Sequence, residues 1–158
     1  HLQLYDGGQL GWPLTRILAT LDCSVDWIEC DDEGGTLAPP SDADAPVPER
    51  IRRYRLDVPS VHVASGTAGG FYLVTTQDAQ LDLTIAEAIL RRGDFGFFGL
   101  LGSHTQRLHV ARRLSQRGIG ADALARMTSP IGVEGISGKR PEALAISIAA
   151  QLLQRCHS

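Results

Sequence analysis

The residues best placed to do chemistry lie in three short segments, each following an apolar run. The first reads Asp6-Gly7-Gly8-Gln9-Leu10-Gly11. A glycine turn between a strand and a helix is where the dinucleotide fingerprint G-x-G-x-x-G sits. Its glycines serve the tight turn, the close approach of a pyrophosphate and helix–strand packing. Gly8 and Gly11 take the second and third of these positions, with Gly7 between Asp6 and Gly8, and Asp6 replaces the first glycine. That carboxylate lies near the place of a pyrophosphate, where like charges repel, and Trp12 adds bulk directly after the turn. Glu29, at the end of the next predicted strand, stands where an acidic residue takes a ribose hydroxyl pair. The turn therefore has two readings, a dinucleotide site and a plain strand-to-helix connection, and Asp6 weighs against the first.

The second segment is Gly99-Leu100-Leu101-Gly102-Ser103-His104-Thr105-Gln106-Arg107. A strand ending in a glycine turn at a helix N-terminus offers N–H donors and a favourable dipole to an anion. Gly102, Ser103, Thr105 and Arg107 are the candidate binding residues, with His104 beside them; the alternative is that Ser103 or Thr105 only caps the helix. The third segment, Thr75-Thr76-Gln77-Asp78, lies at the carboxyl end of a predicted parallel strand. Ligands of open α/β sheets bind at that edge, which singles out Thr76 and Asp78; for Asp78, capping the loop behind it is the alternative.

Other patterns fail on inspection. Gly135-Ile136-Ser137-Gly138-Lys139-Arg140 suggests a phosphate loop, yet Val133 stands where its first glycine is needed and Arg140 where Ser or Thr must hold magnesium. There is no G-x-S-x-G elbow, and no Cys–His pair comes with a third supporting residue, so no catalytic residue is assigned. Cys23, Cys30 and Cys156 form no C-x-x-C, which disfavours a disulfide framework or structural zinc site and leaves no metal ligand set. Cys23 and Cys30 flank a strand and are expected to pack, Cys30 being the more exposed. His62 and His109 read as surface or packing residues.

The elements that must position these segments follow from periodicity. Residues 2–5 form an apolar strand. Leu14, Ile17, Leu18 and Leu21 recur at i, i+3, i+4 and i+7, a helical stripe, with Pro13 in its first turn. Residues 25–28 are the next strand, and strand–turn–helix–strand makes a right-handed βαβ unit. Residues 30–48 form a long polar loop, 52–56 a weak strand, and 58–70 resist assignment. A strand at 71–75 precedes a helix capped by Asp82 or Thr84, with Glu87 completing a capping box and Gly93 stopping it after Arg92. A strand at 95–101, a basic helix at 105–117, a short helix at 121–127, an irregular stretch at 129–138 and a helix from Pro141 to about residue 154 complete the chain. The class is α/β: a doubly wound, mostly parallel sheet with helices on both faces.

Composition agrees. The 158 residues fit one domain (1–158), and the 17 glycines exceed the usual ~7% without period or low-complexity block, so the excess belongs in turns. No apolar run reaches the ~20 residues of a membrane helix, and the N-terminus is no signal or transit peptide. A reduced cytoplasm is the expected location. Net charge of −3 argues against nucleic acid as a partner. Charge is uneven: residues 23–49 hold eight acids and no Lys or Arg, and residues 95–121 hold four arginines and no acid.

Several of these stretches together resemble one family. They are Leu73-Val74-Thr75-Thr76, Ala88-Ile89-Leu90-Arg91-Arg92-Gly93-Asp94-Phe95, Phe98-Gly99-Leu100-Leu101-Gly102-Ser103, Ser129-Pro130-Ile131-Gly132-Val133, and Gly138-Lys139-Arg140-Pro141-Glu142 with the alanine-rich helix behind it. The chain resembles the C-terminal Rossmann domain of the XdhC/CoxI family, the xanthine dehydrogenase accessory proteins. Gly8, Gly11, Asp78, Ser103, Thr105 and Arg107 match the family pattern; Asp6, Gln9, Trp12, Gln77, Ala79, His104 and Gln106 depart from it. The resemblance implies a chaperone that acts by binding and handover. It would hold the molybdenum cofactor (molybdopterin), favour its sulfuration by a cysteine desulfurase, and pass it to a molybdenum hydroxylase such as xanthine dehydrogenase. It also implies a further domain on the N-terminal side, and leaves a homodimer open. The alternatives are an NAD(P)- or nucleotide-binding oxidoreductase-type domain and a scaffold domain without a small ligand.

Overall fold

Short apolar strands and amphipathic helices alternate in this computed structural model, which describes residues 1–30, 46–136 and 139–157. The order is β1 (Leu2–Asp6), α1 (Gly11–Leu18), β2 (Val25–Glu29), β3 (Ile51–Arg55), a 3-10 turn (Pro59–Ser65), β4 (Phe71–Thr75) and α2 (Ala79–Arg92). It continues with β5 (Phe97–Leu100), α3 (His104–Gln116), α4 (Ala121–Ala125), β6 (Met127–Thr128) and α5 (Pro141–Cys156). The six strands form one sheet in the order β3-β2-β1-β4-β5-β6, and each adjacent pair is parallel. The sheet is thus Rossmann-like and doubly wound.

Alternation along the strands sorts two cores. Leu2 and Leu4 of β1, Trp27 of β2 and Leu73 of β4 pack with Leu14 and Leu18 of α1 and with Ile148 and Leu152 of α5. Tyr5, Ile28, Tyr72 and Val74 face the other way, against Leu83, Ile85 and Ile89 of α2 and Leu114 of α3. Covering both faces buries all five residues of β1, as parallel sheets require. It also buries Gln3 completely. The Gln3 amide donates to the His62 carbonyl (3.1 Å) and the Ser65 hydroxyl (3.2 Å) and accepts from the Tyr5 hydroxyl (2.7 Å). These bonds fasten the 3-10 turn, unassigned from sequence, to the sheet. His62 packs on Tyr54 with ring centroids 4.6 Å apart and is hydrogen-bonded to Asp26.

Four expectations are corrected. Helix α2 begins at Ala79, and its cap is Asp78, whose carboxylate accepts from the amides of Gln80 and Leu81. Glu87 completes no capping box and instead takes Arg91 and Arg117. The short helix stops at Ala125, because residues 127–128 pair with Phe98 and Gly99 as an edge strand too brief to show a period. Helix α1 ends at Leu18, leaving Leu21 in the adjoining turn. Of the three free cysteines, Cys156 is the exposed one, while Cys23 and Cys30 are both half-buried. Most of the predicted polar loop and its acidic run, and Ser137-Gly138 of the rejected phosphate loop, lie outside the described residues.

Candidate functional site

Pairing register brings the sequence-predicted residues to one edge. Asp6 lies opposite Glu29 on one side and Thr75 on the other, and Val74 lies opposite Leu100. The chain leaves β1 and β4 toward opposite faces, so a crevice opens between their carboxyl ends, where doubly wound sheets bind ligands.

On the β1 side the turn needs its glycines. Gly8 has φ 102°, and a Cβ on Gly7 would stand 2.2 Å from the Thr76 carbonyl oxygen. A Cβ on Gly11 would stand 2.3 Å from the Trp27 ring. Asp6, which the sequence placed beside a ligand's phosphate, turns inward. Its carboxylate accepts from the amides of Gly8 (3.0 Å), Leu10 (3.1 Å) and Gly11 (2.9 Å) and from the Thr75 hydroxyl (3.2 Å). The residue is 2% exposed. Burial pushes its pKa up, and the Gly11, Leu10 and Gly8 amides pull against that rise. Glu29 is likewise committed, to Arg53 and to Arg55 (2.9 Å) of β3, rather than held open for a ribose. Arg53 in turn lies 4.7 Å over the Trp27 ring and 5.1 Å over Trp12.

The β4 side is polar and more open. Gln77 occupies the left-handed region (φ 63°), and its amide donates across the crevice to Gln9 (3.4 Å). Thr76 donates its hydroxyl to Asp82, which is 8% exposed. Burial raises the Asp82 pKa, opposed by the Thr76 hydrogen bond. Sequence reasoning singled out Thr76 but missed Gln77 and Asp82 as members of the site. The available signal for Asp82 was a carboxylate within the apolar stripe that continues through Ile85, Ala86 and Ile89 at helical spacing.

At the end of β5, Ser103 caps α3 as one sequence reading held. Its hydroxyl accepts from the Gln106 amide (3.2 Å), and the Gln106 side chain accepts from the Ser103 amide (2.7 Å). The box engages those two amides and not the ones between them, His104 and Thr105. Arg107 reaches back to the Met127 carbonyl of β6 (3.2 Å), while its buried Nε has no partner in the described structure. Gln77, Asp82, Gly102, Thr105, Arg107 and His109 line a cleft of about 650 Å³, within the ~300–1,000 Å³ of small-ligand pockets.

The structure therefore divides the predicted residues. Gly102, Thr105 and Arg107 share the cleft, Ser103 holds the helix that forms its wall, and Thr76 reaches it through Asp82. Gly7, Gly8 and Gly11 form the neighbouring turn around Asp6, while Glu29 and Asp78 serve an ion pair and a helix cap. Among the described residues no group of three or more His, Cys, Asp or Glu side chains is disposed to hold a metal, and no helix is long and apolar enough to cross a membrane.

Comparison with known proteins agrees with this architecture. A crystal structure of a xanthine dehydrogenase from Bacillus halodurans has the same fold, with TM-score 0.70 and 23% identity over 99% of this chain. The chain spans 42% of that protein. No curated protein matches. The family model described as the XdhC Rossmann domain matches residues 2–152, from the first strand to the last helix. The chain belongs to the XdhC family, of which it carries the Rossmann domain.

Proposed function

We propose that this chain serves the maturation of a molybdenum hydroxylase of the xanthine dehydrogenase type, by holding molybdenum cofactor in the β4–β5 cleft for sulfuration and handover. The observation that carries the reading is the cleft itself. It lies on the ligand-binding edge of an XdhC Rossmann domain and has Arg107 in its wall, with no acidic partner for that guanidinium among the described residues. When bound, the cofactor supplies a pterin and a phosphate for recognition and the molybdenum centre that sulfuration prepares.

The chain's own groups suit such a ligand. Arg107 gives the cleft a fixed positive charge, which favours a phosphate. The amides of His104 and Thr105 at the start of α3, with the helix dipole behind them, add donors for the same group. Asp82 and Gln77 bring a carboxyl and an amide to a cleft wall that also includes Leu100 and Leu101; a heterocycle carrying both donors and acceptors uses all of these. The cysteine desulfurase and the hydroxylase are the protein partners of this reading. The first turn contributes framework only.

Equilibrium titration of the full-length protein tests the proposal with molybdopterin, NAD and NADP as separate ligands. Saturable molybdopterin binding, weakened about tenfold or more in Arg107→Gln by loss of a charged hydrogen bond, is the expected result. Binding of NAD or NADP without molybdopterin would replace the reading with a nucleotide-binding domain, and silence toward all three would leave a scaffold.

A further inference from the structure

Three of the backbone donors that a fingerprint turn can present to a phosphate are taken here by a side chain of the same chain. The amides of Gly8, Leu10 and Gly11 converge on Asp6 at 2.9–3.1 Å, and the Thr75 hydroxyl joins them at 3.2 Å. Two of these amides, Leu10 and Gly11, mark the N-terminus of α1, where the helix dipole favours negative charge. The carboxylate thus occupies the anion site these four donors form, buried at 2% exposure. The turn has no room to step aside, since Gly7 is wedged against the Thr76 carbonyl and Gly11 against Trp27. Arg53, on the strand beyond β2, is held by Glu29 and the two tryptophan rings, and so is not turned to neutralise a second anion.

We infer that Asp6 is an internal substitute for a phosphate, a specificity-determining residue that closes the first Rossmann turn to phosphate-bearing ligands. Anion recognition at the crevice is thereby confined to the β5–α3 side. The inference stands apart from the identity of the ligand in the cleft, because the bonds of Asp6 do not depend on it. Its corollary is a latent site: glycine at position 6 restores the first fingerprint glycine and leaves three amides with no acceptor.

The test is a titration of the full-length protein with inorganic pyrophosphate, followed by calorimetry and by the backbone amide resonances of residues 8, 10 and 11. In the wild type these resonances stay fixed to 10 mM pyrophosphate (about 10 mM being a weak-binding ceiling). In Asp6→Gly they shift saturably, with affinity raised about tenfold or more. Asp6→Ser, which removes the charge and keeps a short polar side chain, is expected to gain binding in the same direction. Asp6→Asn, which retains an acceptor oxygen in place, is expected to gain less than Asp6→Gly. Shifts of these amides in the wild type would overturn the inference, as would a folded Asp6→Gly or Asp6→Ser that binds no better. Should neither variant fold, the wild-type resonances decide alone: silence supports it, and movement refutes it.

Discussion

Gly11→Ala isolates the contact between the first helix and the sheet. The added methyl would stand 2.3, 2.4 and 2.5 Å from Cζ2, Cε2 and Nε1 of Trp27, where ordinary contact begins near 3.4 Å. Trp27 or the start of α1 must therefore retreat by about 1 Å. Trp27 cannot do so freely: it is 2% exposed, meets Trp12 edge-on at 5.1 Å and lies under the Arg53 guanidinium. Overpacking of this kind costs about 1–3 kcal/mol. Alanine recovers part of the ~1 kcal/mol by which it exceeds glycine in helices, but only part, at a first-turn position. The net loss is about 1–2 kcal/mol, which in a chain of 158 residues lowers Tm by about 2–8 °C at ~2–4 °C per kcal/mol. Thermal melts by circular dichroism, with urea titrations alongside, measure it. The double variant Gly11→Ala/Trp27→Leu tests the cause. The methyl then enters space the indole has left, and the two changes couple favourably by at least about 0.5 kcal/mol. Trp27 Nε1 has no hydrogen-bond partner among the described residues, so its removal breaks no bond there that would confuse the cycle. A Gly11→Ala protein melting at or above the wild type, or a coupling of zero, would refute the packing argument.

Three further substitutions address the β4–α2 corner. Asp78→Ala removes the acceptor for the Gln80 and Leu81 amides and should cost about 1 kcal/mol, whereas Thr84→Ala should stay within about 0.5 kcal/mol, both read from urea midpoints. Asp82→Asn tests the buried carboxyl: its folded pKa is raised, so the folded state binds the proton more tightly and wild-type stability falls as pH climbs from about 4, the unfolded value, through the folded one. Guanidinium midpoints at acid and neutral pH should show this slope diminished in Asp82→Asn; an unchanged slope would mean that Asp82 contributes nothing to it.

The fold was legible because its signals were local and repeated. Leu14 and Leu18 share a helical face, residues 71–75 are a strand on both counts, and Gly93, with φ 74°, ends α2 where a glycine was expected. What escaped depended on partners distant in sequence. The two residues of β6 become a strand only because Phe98 and Gly99 lie beside them. The 3-10 turn is held by Gln3, some sixty residues away, through bonds that no window around Val58 contains. Asp78 took the cap from Asp82 because Asp82 faces inward to Thr76, a choice of direction that residue type leaves undetermined.

The same distinction between type and direction governs the site. Of three carboxylates near the crevice, the sequence made Asp6 a repulsion toward a ligand and Glu29 a contact to one, and gave Asp82 only a helix cap. Asp6 is neither repulsion nor contact, because a short side chain at the end of β1 meets three backbone amides before it can reach solvent. Glu29 is taken by Arg53 and Arg55 because parallel pairing sets β3 beside β2, placing two basic side chains within its reach. Asp82 alone faces the cleft while its charge is discouraged by burial rather than cancelled by a cation. A carboxyl in that state accepts or donates a hydrogen bond according to its proton, which under the proposed function suits it, beside Arg107, to a ligand that carries both a phosphate and a polar ring. Losing Arg107 should therefore weaken phosphate-bearing ligands broadly, whereas losing Asp82 should alter which ring is preferred.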